Sequence, residues 1–200
     1  MTGLVNEIIE AAEKVIGIVF EKSVRDKIGD YFEYILDYNK KVNLISRKSE
    51  DSVLATGLIE SYALYEMIKD NSGQFLDVGS GGGIPGLIIS ILKPDVKIDL
   101  LDSTQKKARF LNSAALHLKL ENAIAVDKRL EELPVTKKYD IIFSGGVGNF
   151  ENLKDHYLKR IKNSGSVIIL TGEDNSKIFG DYDIFANPYL EGRIIVNLEK

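Results

Sequence analysis

Residues 75–86 read Phe-Leu-Asp-Val-Gly-Ser-Gly-Gly-Gly-Ile-Pro-Gly. An apolar run ends at Asp77-Val78, glycines follow at 79, 81, 82, 83 and 86, and a helical pattern opens near Ile84-Pro85. Glycines let a chain turn sharply and come close to a ligand. The start of the following helix adds free N–H groups and a partial positive charge, which suit a carboxylate or phosphate. Pro85 fits the first turn of that helix, where a missing N–H costs nothing. One helix and one strand later a second apolar run ends in Leu100-Leu101-Asp102. An acid at that point can accept both hydroxyls of a ribose; its other ordinary use, shared by Ser103, is to cap the next helix. An ordinary tight strand–helix turn does not call for five glycines in eight positions. The loop and Asp102 together point to an adenosine-bearing ligand.

Two ligand classes compete for the loop. Gly81-x-Gly83-x-x-Gly86 is a literal dinucleotide fingerprint, which would make the protein a nicotinamide-dependent oxidoreductase. Asp77-x-Gly79-x-Gly81-x-Gly83 instead resembles motif I of the class I S-adenosylmethionine-dependent methyltransferases, and the acid and Gly79 favour this second reading. Other chemistries lack their residues. The chain has no Cys, so a thiolate metal site, an iron–sulfur cluster and a Cys nucleophile are excluded. His117 and His156 stand on helical patterns without a second ligand at metal spacing, and no metal is expected. Gly79-Ser80-Gly81 follows Val78, so no Gly-x-Ser-x-Gly elbow exists. Asn187-Pro188-Tyr189 is similar to the Asn/Asp-Pro-Pro-Tyr motif of amino-methylating enzymes but lies after a late strand, and reads as a hairpin turn.

The elements that must position these residues change type along the chain. The first 70 residues read as helices over about 4–19, one around Val24, Ile28, Tyr31, Phe32, Ile35 and Leu36, and one over about 51–69. Ser23 with Asp26 is a plausible start for the second. After Asn71-Ser72-Gly73, apolar runs at 74–78, 97–101, 123–126, 139–144, 166–170, about 182–186 and 193–198 alternate with helices near 84–92, 104–118 and 150–161. This alternation predicts a doubly wound, mostly parallel sheet, and the last two runs, with no helix between them, predict an antiparallel hairpin. The expected organisation is an α/β methyltransferase-like domain over 73–200 with an N-terminal helical extension over 1–72.

With 200 residues, 44% apolar and 28% charged, the chain matches a globular domain able to bury a core without disulfides. No apolar run reaches the length of a spanning helix, and the first residues carry acids rather than a basic start followed by a long apolar stretch, so a cytoplasmic protein away from membranes is expected. The net charge of −4 argues against a protein that coats nucleic acid non-specifically.

The segments DVGSGGGIPG, LLDSTQKKARFL (100–111), LKLEN (118–122) and RLEEL (129–133), with YILDYNKKVNLIS at 34–46 and GRIIVNLEK at 192–200, resemble the GidB family, the bacterial small-subunit ribosomal RNA guanine-N7 methyltransferases. The resemblance implies a seven-stranded sheet with an antiparallel last strand. It implies S-adenosylmethionine as cofactor and ribosomal RNA or the 30S subunit as partner, with the chain acting as a monomer. The implied cofactor-binding residues are Asp77, Gly79, Ser80, Gly81 and Gly83 in the loop, Asp102 and Ser103 at the ribose, and Arg129, Leu130 and Glu131 near the adenine. Ser144 is the candidate on the side of the target base, and no residue is assigned a catalytic role. Guanine N7 carries a lone pair that can attack a methyl directly, so positioning and water exclusion are sufficient. The chain departs from the family pattern at cations. Ser144-Gly145-Gly146 stands for Ser-Arg-Ala, Thr56-Gly57 for Arg-His, and Thr171-Gly172 for Lys-Gly. Either other basic residues (Lys40, Lys41, Arg47 and Lys48, or Lys106, Lys107 and Arg109) take over, or the chain is a cofactor-binding relative whose RNA substrate is altered or lost.

Overall fold

The computed structural model describes residues 1–47, 49–146, 150–180 and 182–199. Lys48, one of the basic residues considered above, therefore lies outside the described residues.

Three helices come first: α1 (Gly3–Ile16), α2 (Lys22–Asn39) and α3 (Glu50–Ile68). Thr2 caps α1 by accepting from the Val5 N–H, and Gly17 ends it with φ 80°. Helix α2 starts a residue before Ser23, with Glu21 at its cap and Lys22 paired to Asp26 across its first turn. The remainder alternates as β1 (Gln74–Val78), α4 (Gly86–Leu92), β2 (Lys97–Leu101), α5 (Gln105–His117), β3 (Ala123–Val126), β4 (Tyr139–Gly145), α6 (Phe150–Leu158), β5 (Ile161–Gly172), β6 (Asp183–Ala186) and β7 (Arg193–Glu199).

The seven strands form one sheet in the order β3-β2-β1-β4-β5-β7-β6. β1 to β5 pair in parallel, while β7 is antiparallel to both β5 and β6. The doubly wound sheet and the closing hairpin are as the sequence pattern predicts. Several boundaries differ, and two of them have a visible cause. Strand β5 starts at Ile161 rather than 166, because Ile161 pairs with Tyr139 before the register slips ahead of Ile141. Helix α6 ends at Leu158, short of 161, because Arg160 turns into the core: its guanidinium bonds the carbonyls of His156, Glu131 and Leu133.

Alternate residues of the strands face opposite sides, as strand geometry requires. Phe75, Leu100, Ile141, Phe143 and Ile168 pack with helices α1 to α5, whereas Leu76, Leu101, Ile142, Val167 and Ile169 pack with Phe150 and Tyr157 of α6. The first core runs without a break from Ile9 of α1 through Leu58 of α3 to Ile195 of β7. The helical segment and the sheet thus share one interior. Among the described residues no helix is long and apolar enough to cross a membrane.

Candidate active site

The glycine loop leaves β1 at its carboxyl end and is held at nearly every peptide. The N–H groups of Gly79 and Ser80 donate to the Leu101 carbonyl at 2.8 and 3.0 Å. Gly81 N–H donates to Asp102 Oδ2 at 3.0 Å, and Gly83 N–H to the Ser80 carbonyl at 2.6 Å. Gly86 N–H, at the start of α4, donates to Asp77 Oδ2 at 3.1 Å. The third fingerprint glycine has a packing cause, since a Cβ at Gly86 would collide with the Asp77 carboxylate and Leu100. Pro85 stands just before the first helical residue rather than within the first turn.

Asp77 is fully buried, and its Oδ1 has no hydrogen-bond partner. Burial pushes its carboxyl up to about 7, against the pull of the Ser80 hydroxyl and the Gly86 N–H, with the charge of Asp102 adding to the rise. Asp102 is held by its surroundings on both oxygens, accepting from Gly81 at Oδ2 and from Thr104 N–H at Oδ1, at 2.8 Å. It therefore combines a bond at the start of α5 with the locking of the glycine loop. Each carboxylate oxygen can accept a further bond, so a ribose acceptor role remains open to it.

Two cavities meet at this loop. One, about 260 Å³, is lined by Val78, Gly79, Leu101, Asp102, Ser103, Lys128 and the segment Arg129–Glu131. The other, about 420 Å³, lies towards the helical segment and is lined by Gly79, Ser80, Gly81 and Gly82 together with Leu44, Thr56, Gly57, Glu60, Pro85, Gly145 and Arg193. Gly79 lines both. Its φ is +76°, and a Cβ built on it would meet no atom within 4 Å, so it would stand in the open space where the cavities join. Of the sequence-selected residues, Gly79, Ser80, Gly81, Asp102, Ser103, Arg129, Leu130 and Glu131 line this double cavity. Asp77 and Gly83 stand behind it: Asp77 anchors α4, and Gly83 packs on Leu87. Ser144 also stands behind the wall, with its hydroxyl donating to the Val78 carbonyl at 2.6 Å. Its neighbours Gly145 and Gly146 reach the cavity instead.

The larger cavity is mostly apolar. Its charged lining residues are Glu60 and Arg193, and these pair through Arg193 Nε and Glu60 Oε1. Neither was singled out by sequence. The antiparallel last strand was legible, however, and its first residue must fall beside the end of β5. Arg193 does so opposite Gly172. The positions where the family pattern carries Arg and His, Thr56, Gly57 and Gly145, all line this cavity, while Thr171 is buried and bonded to Asn175. A Cβ on Gly57 would stand 2.7 Å from Ile84 Cγ2, so Ile84 fills the room a side chain there would need. Arg47 is committed to the chain turn, donating to the carbonyls of Asn39 and Lys40. Among the described residues no group of three or more His, Cys, Asp or Glu is placed to hold a metal.

A sequence model of the family described as rRNA small subunit methyltransferase G matches residues 25–179. The chain belongs to the GidB family. It is 30% identical to the ribosomal RNA small subunit methyltransferase G of Fusobacterium nucleatum, covering 96% of this chain and 89% of that one. It is equally identical to the enzyme of that name from Acetivibrio thermocellus, over 81% of this chain and 69% of the other. Among solved structures, the fold is shared with a ribosomal protein L11 methylase from Lactobacillus delbrueckii (TM-score 0.61, 11% identity, 73% of this chain and 79% of that one). It is shared also with an rRNA methylase from Streptococcus thermophilus (TM-score 0.52, 16% identity, 71% and 94%). As a GidB protein the chain is an S-adenosylmethionine-dependent methyltransferase of ribosomal RNA. The double cavity fits that cofactor: it offers a carboxylate beside a polar peptide segment on one side of Gly79 and a glycine cradle on the other.

Proposed function

We propose that this protein transfers a methyl group to N7 of a guanine in small-subunit ribosomal RNA, as a monomer acting in the cytoplasm on the 30S particle. Residues 1–72 form its helical extension and 73–200 its cofactor domain. The double cavity joined at Gly79 carries this reading, because it gives a cofactor and an acceptor one meeting point.

S-adenosylmethionine supplies an electrophilic sulfonium methyl. Asp102 and Ser103 would hold its ribose, Arg129, Leu130 and Glu131 would flank its adenine, and Gly79, Ser80 and Gly81 would receive its methionyl end, with Asp77 and Gly83 keeping the loop in shape. The acceptor-side residues then have three tasks. Leu44, Ile45, Ile84, Pro85 and Leu170 exclude water around the reacting atoms. Gly57 and Gly145, backed by Ile84 and Pro85, keep the wall of the slot between α3 and the end of β4 free of projecting side chains. Arg193, aligned by Glu60, provides fixed donors for the guanine edge. Ser144 positions the end of β4 beneath the slot through Val78. N7 needs no general base, because its lone pair is available to the methyl directly.

Transfer of tritiated methyl to 30S particles lacking family methylation tests the proposal: incorporation at one guanine, measured by primer extension or nuclease mapping, is the expected result. The absence of cations at 56, 57 and 145 favours a second reading, a GidB protein that binds the cofactor but modifies another RNA or none. That reading predicts S-adenosylmethionine binding by calorimetry with no transfer to 30S particles.

A further inference from the structure

The glycine loop is also held from outside the sheet. Tyr31 of α2 is fully buried, and its hydroxyl donates to the Gly82 carbonyl at 2.6 Å. The same peptide's other end, the Gly83 N–H, donates to the Ser80 carbonyl at 2.6 Å. Both polar groups of the Gly82–Gly83 peptide, its carbonyl and its N–H, are therefore bonded. This matters because the residues on either side are glycine, whose backbone tolerates both orientations of a peptide that any other residue would fix by its Cβ. Helix α2 leaves no slack around the loop: a Cβ on Gly82 would stand 2.9 Å from Ile35 Cδ1, and one on Gly83 would stand 3.2 Å from the Tyr31 hydroxyl. Burial, with the nearby Asp77 charge in second place, keeps the Tyr31 phenol well above its ordinary pKa, so it remains a donor throughout the accessible pH range.

We propose that Tyr31 is a positioning residue for the cofactor, reaching from the N-terminal helical segment to fix the Gly82–Gly83 peptide so that the loop presents one shape to its ligand. The proposal rests on the cofactor reading given above. It assigns α2 a part in cofactor binding that its separate place in the chain does not announce. Removing the hydroxyl leaves a buried carbonyl unpaired and frees the peptide to rotate. The loop then samples forms that must be reversed on binding, and affinity falls with no change in the groups that touch the ligand.

The test uses Tyr31→Phe in the full-length protein, with Tyr139→Phe as a matched control. Tyr139 is equally buried, donates to Asp99 at 2.7 Å, and begins β4 at the end of the sheet remote from the loop. Calorimetry with S-adenosylmethionine should give a dissociation constant raised about tenfold in Tyr31→Phe and unchanged in Tyr139→Phe. In ligand-free protein, relaxation-dispersion NMR should show microsecond-to-millisecond exchange at the Gly83 amide of Tyr31→Phe and not of the control. A folded Tyr31→Phe with wild-type affinity and no exchange at Gly83 overturns the proposal. Wild-type protein that binds no S-adenosylmethionine overturns the cofactor reading instead, and the Gly83 exchange still decides whether Tyr31 fixes the peptide.

Discussion

Asp77 pays a cost for its place under α4. In the unfolded chain it ionises near 4, in the folded protein only near 7. Below about pH 4 both states hold the proton and nothing is lost. Between about 4 and 7 the folded state holds more protons than the unfolded state, so stability falls as pH rises, and above 7 the full penalty of a buried charge remains. Asp77→Asn, which can still accept from the Gly86 N–H, should therefore match the wild type in unfolding free energy near pH 4. It should exceed the wild type at pH 8, by an amount on the order of a few kcal/mol, measured by denaturant unfolding at the two pH values. Asp102→Ala should act on binding: loss of a charged acceptor predicts a dissociation constant for S-adenosylmethionine raised about 10- to 100-fold in calorimetry. Arg193→Gln should leave that affinity alone and lower methyl transfer to 30S particles by a similar factor, read as kcat/KM for the particle.

At the scale of elements, the β1–loop–α4 unit was legible because its constraints are local. An acid, a run of glycines and a proline in twelve residues describe a turn that almost no other structure needs. Gly79→Ala should test it sharply: positive φ strains the new side chain, and its Cβ projects into the junction of the cavities, so cofactor binding should be lost in calorimetry while the fold survives with a penalty of ~1 kcal/mol. Strand β5 and helix α6 were read less well for the opposite reason. Their limits depend on a distant pairing, Tyr139 with Ile161, and on Arg160 reaching carbonyls of residues far away in the chain. The pairing of Glu60 with Arg193 and the bond from Tyr31 to Gly82 are likewise contacts between remote segments, and no spacing rule exposes them. What was legible was their stage, namely an antiparallel last strand whose first residue falls at the carboxyl end of the sheet. Ser144 shows the limit of a position-by-position reading, since strand alternation turns it to the α6 side and leaves Gly145 at the slot.

For the whole molecule, the continuous core is the governing fact. Ile9 of α1 and Leu58 of α3 belong to the same apolar cluster as Phe143 and Ile195 of the sheet. The two segments read from sequence as an extension and a domain should unfold together. Ile9→Ala should cost about 2–4 kcal/mol and shift a single transition, seen alike by far-ultraviolet dichroism and by loss of S-adenosylmethionine binding. The net charge of −4 fits this compact picture. A protein of that balance does not gather RNA by overall charge.

Gly57 and Ile84 make the slot hard to revise. A histidine at 57 meets Ile84 in its way, and a smaller residue at 84 alone opens a hole in the wall. The two positions are therefore coupled: a side chain added at 57 must be met by a shift of Ile84, and the stability changes of substitutions at 57 and 84 should not add in a double-mutant cycle.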